Sequence, residues 1–319
     1  GSVAGADTAA RLLTAFDQVV TTLCRAPATT AHDARAALAA PDLVGPPLDD
    51  EPVAPVRLIV VRATQRPDTV AAVDVDGSTT TYGQLVRRGA ALGSRLRELG
   101  VEPGSRVAVS LPRSSDLLAT IVGIHLERAV YVPIDPSAPS ERVRSLVDAA
   151  QPAVAVVGPD TPADGRFAGV ATLHVAASDG AADRLADVHL PDPDDVTPSD
   201  DDVAYVIFTS GSTGEPAAVE VSQGNIAAST AARQGFYGDE PPARFLLTPS
   251  IGFDSSMVAI FWPLATGGAV VLPGDEAVHD VDRLGDLVAA LDVSHLLMVP
   301  SLYQALLDRR GHRLTGLHT

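Results

Sequence analysis

Lysine is missing altogether from this 319-residue chain, and cysteine nearly so. All 23 basic residues are therefore arginines, and no primary side-chain amine is available for any catalytic task. The single cysteine, Cys24, excludes an internal disulfide and any multi-cysteine metal site. No run of about eighteen apolar residues occurs, so no membrane span is expected. Positive charge is also scarce. The net charge is −17, the reverse of the basic footprint that non-specific nucleic-acid binding requires. The N terminus has no basic stretch followed by an apolar one, so no secretory signal is read and the cytoplasm is the default compartment. The histidines show no ligand spacing, and each is read as a satisfied structural residue.

What the chain does contain is enough apolar sequence, 46%, to build a core. Residues 11–25 read as an amphipathic helix with Leu12, Phe16, Val19, Val20 and Leu23 on one face, stopped by Pro27. An Ala/Pro/Asp-rich linker follows, so 3–55 is taken as an N-terminal helix and linker and 56–319 as the body. Strands at 70–76 and 79–82 flank Asp76-Gly77, a hairpin signal. A helix carrying Leu85, Gly89, Leu92, Leu96 and Leu99 ends at Gly100. Strand and helix then alternate to the end: strands near 106–111, 130–134, 153–157, 203–208, 219–221, 244–247, 269–272 and 295–299, with helices at 117–126, 140–149, 222–234, 255–264, 281–291 and 302–309. This alternation predicts an α/β protein with parallel or mixed sheets flanked by helices. The acidic run from Asp192 to Asp202 lacks the ligand spacing of a metal loop and reads as a solvated connector.

The densest chemistry lies in Thr209-Ser-Gly-Ser-Thr-Gly214, between an apolar strand and Pro216. Glycines permit a tight turn that brings backbone N–H groups to an anion, and hydroxyls add donors. The residues Thr209, Ser210, Gly211, Ser212, Thr213 and Gly214 are thus candidates for holding phosphate, with Thr213 a candidate Mg²⁺ ligand. The loop is not a Walker A sequence, which ends in Lys-Ser/Thr, and not a nucleophile elbow, because Ser210 stands where a glycine is required.

Together, five stretches in order resemble the AMP-forming adenylating superfamily, in its nonribosomal peptide synthetase form. They are Thr81-Tyr-Gly-Gln-Leu85, Tyr131-Val-Pro-Ile-Asp-Pro136, Tyr205 through Pro216, Gly252-Phe-Asp-Ser-Ser256 with Ile260-Phe-Trp-Pro-Leu264, and Val299-Pro-Ser301. The resemblance runs from about Val56 to the end. It implies the partial large N-terminal domain of an adenylation domain, which uses ATP and Mg²⁺ to turn an amino acid into an aminoacyl adenylate. The acyl group then passes to the phosphopantetheine thiol of a peptidyl carrier protein. By motif position Asp254 pairs with the substrate α-ammonium, and Ser255, Val258 and Met298 line the side-chain pocket. The residues before Val56 resemble the tail of a preceding condensation domain. For Asp254 an N-cap role, and for Val258 and Met298 ordinary core packing, stand beside these readings.

The pattern has gaps. Ala217 stands where the family carries lysine, Gln223 where it carries histidine, and Arg128-Ala129 where it carries glycine. The adenine- and ribose-binding motifs and the late catalytic lysine are not in the 319 residues. No catalytic residue is therefore assigned, and this polypeptide alone is expected not to complete adenylation. A degenerate adenylation domain kept as a scaffold is the alternative, and an acyl-CoA ligase relative a more distant one.

Overall fold

The computed structural model describes residues 51–175, 188–210, 216–237, 241–314 and 316–317. The chain divides into two units, residues 1–49 with Thr319, and residues 50–318. The helix at 11–25, Cys24 and the linker up to residue 50 lie outside the described residues, as do Gly211, Ser212, Thr213 and Gly214.

The larger unit opens with α1 (Pro55–Gln65), which follows no expectation from the sequence. Pro55 pre-sets the first turn, and Val56, Ile59, Val60 and Ala63 fall on one buried face. Strands β1 (Val70–Val73) and β2 (Thr79–Thr81) form the expected antiparallel hairpin. Gly77 takes φ +83°, where a side chain would be strained. Helix α2 (Tyr82–Glu98) starts on a complete capping box: Thr81 Oγ1 accepts from Gln84 N, and Gln84 Oε1 from Thr81 N. It ends before Gly100, at φ +86°.

Next come β3 (Arg106–Ser110), α3 (Ser115–Leu126), β4 (Val130–Pro133), α4 (Ser140–Ala150), β5 (Val154–Val157) and β6 (Ala171–His174). The second half supplies β7 (Val203–Ser210), β8 (Pro216–Ser222), α5 (Gln223–Tyr237), β9 (Arg244–Leu246), α6 (Ser255–Thr266), β10 (Ala269–Val271), α7 (Val281–Ala290), β11 (His295–Leu296) and α8 (Pro300–Arg310).

Two mixed sheets result. One runs β6-β5-β3-β4-β7-β8, parallel except for the β7–β8 hairpin; the other runs β11-β9-β10-β1-β2, parallel except for β1–β2. Strand β6 also went unforeseen, because only Leu173 of its four residues is buried and no apolar alternation marks it.

Alternation along the strands sorts the core into layers. Val107, Val109, Tyr131, Val154, Val156, Tyr205 and Ile207 share one cluster with α1, α2, α3, α6 and the near face of the second sheet. Ala108, Val132, Ala155 and Val157 face away, under α4 and Phe167. On the second sheet, Val73, Leu246 and Val271 face away, under α7 and α8. The order is helix, sheet, helices, sheet, helices. Tyr82, fully buried, ties α2 to α6. Its hydroxyl lies 2.9 Å from Leu264 O and 2.7 Å from Gly268 O, so one proton serves two carbonyls.

The acidic run is more than a solvated connector. Asp194 pairs with Arg57 at 2.9 Å. Asp202 takes both a 2.8 Å bond from Nε and a 3.2 Å bond from Nη2 of Arg128. Arg128 itself sits in the left-handed region at φ +54°, which explains why a glycine is at home in that position. Its ion pair holds the strained residue in place, so Arg128→Ala, which keeps the strain and loses the pair, is expected to lower the thermal midpoint more than Arg128→Gly. The opposite order in thermal unfolding would contradict this.

Candidate functional site

The parallel strands β3, β4 and β7 of one sheet, and β9 and β10 of the other, run in register with their neighbours, so each sheet's loops emerge together at its carboxyl end, where open α/β sheets bind ligands. Thr209 sits near the end of β7, exposed, with its hydroxyl 3.4 Å from Ala217 O across the hairpin. Ser210 is opposite Pro216 in the strand register, so β7 and β8 flank the glycine-rich segment 211–215 in the sequence. Ala217 is exposed on β8, where a longer cationic side chain would have room.

Gln223 follows β8 and is buried, as is His125 at the end of α3; Gln223 Nε2 lies 3.0 Å from His125 Nδ1. Gln223 N donates to Asp202 O at 2.8 Å, and Arg128 N donates to His125 O at 3.1 Å. The sequence departures at Arg128 and Gln223 therefore meet in one closed ring: Arg128, Asp202, Gln223, His125. The ring closes the base of the β7–β8 hairpin, since Asp202 precedes one strand and Gln223 follows the other.

Burial holds His125 neutral and pushes its pKa down to about 4, with the Gln223 hydrogen bond acting weakly the other way. An unfolded histidine titrates near 6.5. Between the two values the unfolded chain binds a proton that the folded chain refuses, so stability falls as pH drops from about 6.5 toward 4. Carboxylates titrate in part of the same range, so the informative quantity is a difference. From pH 7 to 4.5, His125→Gln is expected to lose roughly 2 kcal/mol less than the unaltered chain in urea unfolding. Equal losses would contradict a neutral buried His125.

Asp254 occupies the N-cap position of α6 with φ −58° and ψ −29°, and its side chain makes no capping hydrogen bond. Just inside the helix, the Ser256 hydroxyl donates back to Phe253 O at 2.6 Å. The exposed Asp254 carboxylate has no hydrogen-bonding or ion-pair partner among the described residues. Ser255 is half-buried beside it. Val258, one turn on, is half-buried against the main core. Met298 follows β11 and packs partly on the smaller cluster. Thr248 Oγ1 donates to Leu297 O at 2.6 Å, tying the segment that leads to Asp254 to the one that carries Met298. Phe253, Leu297 and Val299 expose apolar surface in these segments.

The AMP-binding enzyme family matches residues 60–318, the whole of the region that carries both the hairpin and the Asp254 segment. This chain belongs to that family. Within it, the chain is 33% identical over 245 residues to syringomycin synthase SyrB1 of Pseudomonas syringae pv. syringae, covering 77% of this chain and 39% of that protein. It is 34% identical over 279 residues to the isonitrile lipopeptide synthase of Streptomyces coeruleorubidus, covering 87% of this chain and 18% of the relative. Among solved structures it resembles the nonribosomal peptide synthetase FmoA3 in its α-methyl-L-serine-AMP bound form, with a TM-score of 0.70 and 29% identity over 86% of this chain and 30% of FmoA3. The chain is thus a segment of a nonribosomal peptide synthetase adenylation domain, and it spans well under two thirds of these relatives. As an AMP-binding segment, it has two further features that the sequence did not single out. Arg113 and Asp135 reach the loop before Asp254 from the exits of β3 and β4. Arg113 follows a strand and a proline without any periodic or motif signal. Asp135 lies inside a motif whose letters do not show what it touches.

Proposed function

We propose that this chain contributes the ATP phosphate loop and the opening wall of the amino-acid pocket to an enzyme that makes aminoacyl adenylates. The observation that carries the reading is the exposed Asp254 carboxylate, which has no partner among the described residues and does not cap its own helix. An exposed, unpaired carboxylate beside apolar side chains suits a substrate that offers an ammonium next to a side chain. A buried or self-paired carboxylate would not.

For ATP, the donor set of Thr209, Ser210, Gly211, Ser212, Thr213 and Gly214 fits phosphate oxygens by residue type, and the bracketing hairpin lies where a parallel sheet ends. A Mg²⁺ ion bound with the nucleotide would neutralise phosphate charge, and Thr213 is the hydroxyl assigned to it. Asp254 would orient the amino acid, and half-buried Ser255, Val258 and Met298 would select a small or medium side chain of mixed polarity. The product would pass to a carrier-protein phosphopantetheine, in an assembly that includes a condensation domain.

The phosphate half is tested by calorimetric titration of the chain with Mg·ATP and with AMP. Mg·ATP is expected to bind more tightly, and Thr213→Ala to reduce that preference at least fivefold. Equal affinity for the two nucleotides in the unaltered chain would remove the phosphate cradle from the account.

A further inference from the structure

We propose that Arg113 and Asp135 are positioning residues for the substrate loop, holding Thr248–Asp254 so that the Asp254 carboxylate stays free to meet the amino acid. The inference rests on the reading of Asp254 as the ammonium partner. Four side-chain anchors fix this short loop. Thr248 is bonded to Leu297 O, as above. Arg113 Nη2 donates to Pro249 O at 3.0 Å, while Nη1 contacts the Asp275 carboxylate. Ser250 Oγ donates to Asp135 Oδ2 at 3.3 Å, and Asp135 Oδ1 takes further bonds from Ser137 N and Oγ. Ser256 Oγ closes the far end on Phe253 O.

These anchors come from different places in the fold. Arg113 leaves the exit of β3 and Asp135 the exit of β4, both in the six-stranded sheet. The loop they hold leaves β9, and Asp275 follows β10, both in the other sheet. Arg113 is the more deeply placed of the two. Its side chain is 9% exposed, and its Nε is buried with no partner among the described residues, so the contacts described for the guanidinium are those of its two terminal nitrogens. A buried guanidinium in a fixed fork can hold a carbonyl and a carboxylate at once, which a neutral side chain cannot reproduce and a lysine, lacking the rigid fork, reproduces only in part. Geometry at a recognition site has to be held by supporting contacts of this kind.

The test is amide hydrogen exchange on the full chain, with urea unfolding in parallel, for Arg113→Ala, Arg113→Lys, Asp135→Asn and Asp254→Ala. Arg113→Ala is expected to speed exchange of the Phe253, Ser256 and Met257 amides at least tenfold while residues 107–109 of β3 change less than twofold. Arg113→Lys should fall between, and Asp135→Asn should act on the same amides. Unchanged exchange in the loop, or faster exchange spread evenly over the core, would overturn the assignment. If the alanine variant does not fold, the lysine and asparagine variants decide by the same criterion. Asp254→Ala should leave loop exchange intact. In a complete domain containing these residues, the Arg113 variants should raise the amino-acid KM at least tenfold with the ATP KM within twofold. An Asp254→Ala variant with an unaltered amino-acid KM would sink the ammonium reading, leaving the exchange result to judge Arg113 on its own.

Discussion

Gly123→Val is expected to destabilise the fold by about 3 kcal/mol or more, the upper range for forcing atoms into a packed interior. A Cβ at Gly123 would stand 2.5 Å from the backbone oxygen of Gly89 and 3.2 Å from Leu92 Cδ2. The crossing is tight from the other side as well. A Cβ at Gly89 would meet Val122 Cγ1 at 2.9 Å and Ala119 O at 3.1 Å. Helices α2 and α3 therefore touch through their backbones, and neither can retreat, because Tyr82 fastens α2 to α6 and α3 covers the first sheet. For a domain of this size the loss corresponds to roughly 6–12 °C in the thermal midpoint. Gly158→Ala is the matched control. Its Cβ would find only ordinary contacts at 3.7 Å and 3.8 Å, and little change is expected. Similar midpoints for the two variants would contradict the close crossing.

The second large effect concerns recognition. In a complete domain, Asp254→Ala is expected to raise the amino-acid KM about 100-fold, the scale of losing a charge-assisted hydrogen bond in a partly dry pocket. Asp254→Asn should recover little, because an amide keeps the shape and loses the charge. The fold should be indifferent to both, since the carboxylate caps no helix and pairs with no described residue. This separates recognition from the N-cap alternative. If Asp254 were a working cap, alanine would lower stability by ~1 kcal/mol, visible in urea unfolding.

Periodicity and turn chemistry made most of this fold legible in the sequence. The Asp76-Gly77 turn, the Gly100 helix end and the alternating strands and helices all stand where they were expected, within a few residues. Helix α1 was missed although Pro55 and the spacing of Val56, Ile59, Val60 and Ala63 were there to be read. The strand β6 gave no comparable signal. The site was less legible. Motif letters point to Asp254, but its freedom from capping depends on where the side chain goes, which the letters do not carry. The loop anchors join residues 136 and 115 positions apart, beyond the reach of any local pattern.

Of the departures from the family pattern, Ala217 and Gln223 favour the degenerate-scaffold alternative, and Arg128 stands where a glycine is expected. In the fold Arg128 and Gln223 share one ring with Asp202 and His125, each bonded to the next, although Gln223 Oε1 and His125 Nε2 are buried there with no hydrogen-bond partner among the described residues. Ala217 differs from them. It is an exposed alanine on β8, and its side chain can supply neither charge nor hydrogen bond.

The most direct measurement is amino-acid-dependent exchange of labelled pyrophosphate into ATP across a panel of amino acids. It would be run on the 319-residue chain and on a longer polypeptide that carries these residues followed by the adenine, ribose and late-lysine motifs. Exchange is expected with at least one amino acid in the longer polypeptide, lost on Asp254→Ala, and absent from the 319 residues alone. A folded longer polypeptide that is inert toward the whole panel would contradict adenylation as the function this segment serves.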